Sequence, residues 1–191
     1  MSINLSKGGR INLEKEAPGL SKLHLGLGWD VRKTDGNSFD LDASVLMLGT
    51  DEKAIGSEGF IYYNAKKSVC GSVEHLGDNL TGEGEGDDEV ITVNLATLPE
   101  NVSKLLVAVT IHDAEQRKQN FGAVDNAFIR ISNLDDDKEI ARYDLTEDYS
   151  SETSLIFGEL YKKDGEWRFA AKGDGFAGGL AALLATYGLN A

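Results

Sequence analysis

KLHLGLGWD, residues 22–30, sets Leu23, Leu25, Leu27 and Trp29 on one side of an extended chain and Lys22, His24, Gly26 and Gly28 on the other. A period of two with one apolar side predicts a strand that lies on a core by one face. Similar segments flank it. RINLEKE (10–16), LDASVLML (41–48), GFIYYN (59–64), EVITVNL (89–95), SKLLVAVTIHD (103–113), NAFIRISNL (126–134) and KEIARYDL (138–145) are rich in β-branched and aromatic residues and are separated by turn residues. SLIFGELYKKDGEWRFAAKG predicts a hairpin closed by Asp164-Gly165, a dipeptide suited to a type I′ turn. Only GFAGGLAALLATYGLN, 175–190, has Ala and Leu at helical density, with Asp174 as a cap and Gly188 as a stop. The expectation is a mainly β chain: a two-sheet antiparallel β-sandwich with a C-terminal helix, forming a single domain over residues 1–191.

The charge balance narrows the partners. Thirty-two Asp and Glu against 19 Lys and Arg leave a formal charge of -13, which repels a phosphate backbone, and no Lys/Arg cluster forms an isolated basic face. Nucleic acid is therefore not expected as a partner. A single cysteine, Cys70, excludes an internal disulfide framework, and MSINLSKGGR lacks the apolar run of a signal peptide or membrane anchor. These features predict a cytoplasmic chain that does not insert into a membrane.

GDNLTGEGEGDDE, residues 77–89, concentrates Glu83, Glu85, Asp87, Asp88 and Glu89 among Gly82, Gly84 and Gly86. Two carboxylates about 6 Å apart repel by about 0.7 kcal/mol in water and about 2.8 kcal/mol at an effective dielectric near 20. Such a loop either splays into solvent or closes around a cation. Ca²⁺ takes six to eight oxygens from carboxylates, amides, hydroxyls and backbone carbonyls, all of which this stretch offers. In SFDLDASV, Asp40 and Asp42 lie two apart and share a face if a strand starts there, which predicts ligands converging from separate segments at one end of the fold. Asp113 and Glu115, just past another strand, are lesser candidates. The Asp135-Asp136-Asp137 run lacks the glycine of an EF-hand loop and reads as a solvated turn. GEGEG has no following lysine, so it does not read as a phosphate cradle.

Catalytic signatures are missing. G-x-S-x-G, H-E-x-x-H and C-x-x-C do not occur, and Cys70 reads as an inert or partly buried thiol. His24, His75 and His112 are far apart in sequence, so a zinc site would depend on the fold to assemble it. Phe60, Tyr62 and Tyr63 could form a platform for a sugar or base, although rings in a strand more often pack on their neighbours.

KGGRINLEKEAPGL, GLGWDVRKTDGNSFDLDASV, SVEHLGDNLTGEGEGDDEVI, AVTIHDAEQRKQNFGAVDNAFIRI, EIARYDLTED and FGELYKKDGEWRFAAKGDGFAGGL, taken in order, resemble the TerD family of bacterial tellurite-resistance and stress proteins. The match runs nearly end to end. It implies a small cytoplasmic β-sandwich that binds Ca²⁺, has no established enzymatic activity, and belongs to operons associated with resistance to tellurite, phage and pore-forming colicins. It also implies contact with other Ter proteins, including a membrane-embedded one. Asp40 and Asp42 match the family's DLD-type motif, and Asp78, Asn79, Thr81, Asp87, Asp88 and Glu89 match its GDN-x-TG-x-G-x-GDDE motif. Together with the Gly82 carbonyl and Glu115 they are the expected ligands, in two adjacent Ca²⁺ sites. The rival readings are a Ca²⁺-dependent membrane-surface or Ter-complex adaptor module and an enzyme acting on oxidised tellurium.

Overall fold

The alternation in residues 22–30 becomes a nine-residue strand at the centre of one of two sheets. The computed structural model describes residues 2–30, 39–77, 79–80, 86–145 and 149–190. Its elements are β1 (Ile3–Leu5), β2 (Arg10–Asn12), α1 (Leu13–Glu16), β3 (Lys22–Asp30), β4 (Leu41–Leu48), β5 (Phe60–Ile61), β6 (Val73–His75), β7 (Glu89–Asn94), β8 (Lys104–Ile111), α2 (Ala114–Arg117), β9 (Asp125–Asn133), β10 (Glu139–Asp144), β11 (Ser154–Lys163), β12 (Glu166–Phe176) and α3 (Gly179–Thr186). Sheet I has the order β1-β10-β9-β3-β7-β6, and sheet II has the order β2-β12-β11-β8-β4-β5. Neighbours pair antiparallel except β1 on β10, which is a parallel edge pair.

One apolar cluster draws on both sheets, with Leu23, Leu25, Leu27, Ile91 and Val93 from sheet I and Val45, Met47, Leu105, Val107 and Phe157 from sheet II. A second cluster lies on the outer face of sheet II, where Leu46, Leu48, Leu106, Ala108 and Ile156 meet Leu183 and Leu184 of α3. This second layer explains why β4 is buried along its whole length. Its odd residues face the shared core, while its even residues lie under the helix side.

Several local expectations need correction. RINLEKE is not one strand, because Asn12 caps a helical turn by accepting the Glu14 and Lys15 N–H groups. GFIYYN keeps only a two-residue strand. The C-terminal helix is shorter than the Ala/Leu pattern suggests: Asp174 lies within β12, the cap position is Gly178, and the helix ends before Tyr187 and the left-handed Gly188. The hairpin turn has Asp164 at φ 56° and Gly165 at φ 83°, the two positive angles a type I′ turn requires. Asp135, Asp136 and Asp137 form the exposed turn between β9 and β10.

Candidate functional site

The registers gather strand ends at one pole. Leu27 pairs with Glu89, Asp30 with Asp125, and Leu41 with Ile111, so the end of β3, the starts of β4, β7 and β9, and the end of β8 lie together. Asp30, Asp40, Asp42, Asp88 and Glu89 come to this pole from three separate segments.

Only Glu89 belongs to β7, and Asp87 and Asp88 lie in the turn before it, so the alternation that would put Asp87 and Glu89 on one face does not apply and the DDE of residues 87–89 is divided. Asp87 lies on the outer face of sheet I. Its carboxylate accepts from Arg130 Nε at 2.6 Å and meets His24 Nε2 at 2.8 Å. It sits directly over Gly26, where any Cβ would overlap the carboxylate. The neighbouring Gly28 makes room for Phe128, whose ring carries the Arg142 guanidinium 3.6 Å from its centroid. The glycines on the polar side of KLHLGLGWD are therefore seats for groups from other strands.

Glu89 points the other way, into the space between the sheets, and its side chain is fully buried. Oε2 accepts the Ala43 N–H of β4 at 2.5 Å, and Oε1 accepts the Asn79 N–H at 3.4 Å. His75 Nδ1 accepts the Gly77 N–H at 3.3 Å, and its Nε2 lies 3.5 Å from Glu89 Oε2. Asp88 separates Asp87 from Glu89 in the chain. It accepts the Trp29 N–H at 2.9 Å and the Asn79 side-chain amide at 3.0 Å. Burial raises the Asp88 carboxyl above its ordinary value; the Trp29 N–H opposes this, and the charges of Asp87 and Asp30 add to it.

The other expected ligands lie farther round the pole. Asp40 is buried with Arg117 3.7 Å from its carboxylate, and its carbonyl accepts the His112 N–H. Asp42, on the outer face of sheet II, lies 3.6 Å from His112 Nδ1. Glu115 is exposed in α2. Asp78, Thr81 and Gly82, and with them Glu83, Gly84 and Glu85, lie outside the described residues. Among the described residues, no three Asp, Glu, His or Cys side chains gather closely enough to hold a metal ion by themselves. What sequence reasoning missed is the basic complement: His24, His75, His112, Arg117 and Arg130 each stand within 4 Å of one of the anticipated ligands. The three histidines do not assemble with one another; each goes to a different carboxylate. His24, on the polar face of KLHLGLGWD, was the available hint.

The family model described as TerD domain matches residues 1–187. The chain belongs to the TerD family. This TerD-family chain is 54% identical over 191 residues to tellurium resistance protein TerD of Serratia marcescens, covering 100% of both chains. It is 53% identical to general stress protein 16U of Bacillus subtilis (strain 168), covering 100% of this chain and 99% of the relative. A crystal structure of a TerD homologue from Streptomyces coelicolor A3(2) superimposes with a TM-score of 0.69 over 87% of this chain and 96% of that one, at 21% identity, a likeness of fold. No helix among the described residues is long and apolar enough to cross a membrane.

Proposed function

We propose that this chain is a non-enzymatic, cytoplasmic stress protein of the tellurium-resistance type whose acidic pole binds Ca²⁺. The observation that carries the reading is Asp88: a carboxyl lifted by burial and by the charges of Asp87 and Asp30, with the amide of Asn79 against it. A hard cation relieves that repulsion, and Asp88, Glu89 and Asn79 offer it carboxylate and amide oxygens. Asp88, Glu89 and Asn79 supply the described part of the ligand set, with Asp78, Thr81 and the Gly82 carbonyl joining them. Asp40, Asp42 and Glu115 serve a second ion on the side of sheet II. Asp87 does not fit the ligand role, because it is paired with Arg130 and bonded to His24 on another face.

Bound Ca²⁺ acts as a charge that neutralises the pole, and a partner that contacts the two states differently then reads the ion. Other Ter proteins, one of them membrane-embedded, are the proposed partners. The test compares amide spectra of chelator-treated and Ca²⁺-loaded protein. Saturable shifts at Trp29, Ala43, Asn79 and Asp88 support the reading, and identical spectra refute it.

Leu76 and Leu80, each 58% exposed beside the pole, favour a second reading as a Ca²⁺-dependent membrane-surface module. Sedimentation with anionic vesicles, with and without Ca²⁺, decides between them: pelleting only with Ca²⁺ favours the membrane.

A further inference from the structure

On the outer face of sheet II, Asp42, Thr110 and Ser154 sit side by side on β4, β8 and β11. Two strand spacings separate the first from the third, about 10 Å. Along β4 the same face continues to Ser44 before becoming apolar at Leu46 and Leu48 under α3. The helix begins beside the polar row, with Ser154 Oγ donating to the Gly179 carbonyl at 3.1 Å. A cleft of about 350 Å³ remains, with Asp42, Ser44 and Thr110 among its lining and the first turn of α3 at its edge.

Four features define its chemistry. Asp42 places a carboxylate in the cleft, beside His112. A chain of rings lines another side: Phe60 stacks on Tyr62 at 4.6 Å, Tyr62 meets Tyr63 edge-on at 5.3 Å, and Tyr63 meets His112 at 6.3 Å. The α3 terminus starts at Gly178 and no side chain caps it, so its first-turn N–H groups present the positive end of the helix. Finally, Ser44 is a lining residue only 3% exposed, and its Oγ has no hydrogen-bond partner among the described residues. A buried hydroxyl left in this way calls for a ligand or water atom.

We infer that the cleft binds a small α-amino-acid zwitterion with an aromatic or apolar side chain. Its ammonium lies at Asp42, its carboxylate at the amides opening α3, and its side chain against Tyr62 and Tyr63, with Ser44 Oγ reaching the backbone polar groups between. The rings add attraction for the ammonium. A plain anion would face Asp42, Asp113 and Glu115, and a plain cation would leave the helix end unanswered. The cleft shares Asp42 and Glu115 with the second Ca²⁺ site proposed above, so an ion there would compete with the ammonium, and the test is run without divalent ions.

The experiment titrates L-phenylalanine, phenethylamine and 3-phenylpropionate into the chelator-treated full chain, followed by amide and aromatic NMR. The expected result is saturable shifts with L-phenylalanine at Ser44, Thr110, Gly179, Leu180 and Tyr63, with each truncated analogue at least about tenfold weaker. Ala181→Trp, at an exposed position on the edge of the cleft, is expected to abolish binding with the remaining spectrum intact; should that variant misfold, Tyr63→Ala is expected to weaken binding at least about tenfold. No saturable shift with L-phenylalanine, equal binding of all three compounds, or full binding by a folded blocked variant would overturn the assignment.

Discussion

The carboxylate of Glu89, on β7 of sheet I, accepts the Ala43 amide of β4 in sheet II at 2.5 Å, tying the two sheets together at the acidic pole. β5 pairs with Val45 and Leu46, so among the described residues β4 has no strand partner on that side at Ala43, and Glu89 supplies an acceptor. Glu89→Ala is expected to lower stability by about 3 kcal/mol, because it leaves the buried Ala43 amide and the Asn79 amide without their acceptor. Glu89→Gln, which keeps an acceptor, is expected to lose less than half as much. Urea unfolding in the presence of chelator checks both.

Gly26 and Asp87 are expected to be coupled. Gly26→Ala drives a methyl into the Asp87 carboxylate and pushes it away from Arg130 and His24, at a cost of about 1–3 kcal/mol. In an Asp87→Ala background the same change is expected to cost far less. A double-mutant cycle by denaturant unfolding measures the difference, and additive effects would contradict the placement of Asp87 over Gly26.

Asp88 makes stability depend on pH with a definite sign. Its folded carboxyl titrates above the unfolded value of 3.8, so the folded state holds more protons between the two, and stability falls as pH rises through that window. Above the window the ionised form carries a constant penalty. Asp88→Asn, which retains an acceptor for the Trp29 N–H, is expected to raise the melting temperature of chelator-treated protein at neutral pH and to flatten that fall. Thermal melts across pH 3–7 read it.

The fold was legible wherever the hydrophobic pattern was strong. β3 and β4 match their predicted segments residue for residue, because each carries a complete apolar side and ends at polar or turn residues. β12 was harder: GDGF extends the strand through Phe176, since pairing with Ser154, Leu155 and Ile156 overrides the glycines. At the pole, the clustering of acids was legible and their partition was not. The turn before β7 sends Asp87 and Glu89 to opposite faces, against the simple alternation of a strand, and the arginines and histidines that answer them come from β3, β6 and β9 and from the segment after β8. Such pairings depend on strand order, which local sequence does not carry.

Cys70 was expected to be an inert or partly buried thiol. It is exposed, and although partial burial raises its pKa, hydrogen bonds from Ser68 and Ser72 outweigh that and leave it lowered from 9.0. The Ser68 hydroxyl stands 3.3 Å from the sulfur. Native protein is expected to be alkylated by iodoacetamide at neutral pH without unfolding, and Ser68→Ala is expected to slow the reaction. Intact-mass kinetics distinguish this from a protected thiol.

Calorimetric titration of Ca²⁺ into chelator-stripped protein, comparing the wild type with Asp88→Asn and Asp87→Asn, tests the central claim most directly. The account predicts saturable binding that Asp88→Asn weakens by at least about tenfold, while Asp87→Asn, held by Arg130 and His24 on the other face, changes it by no more than about threefold. No saturable heat in the wild type, or equal loss in both variants, would contradict it.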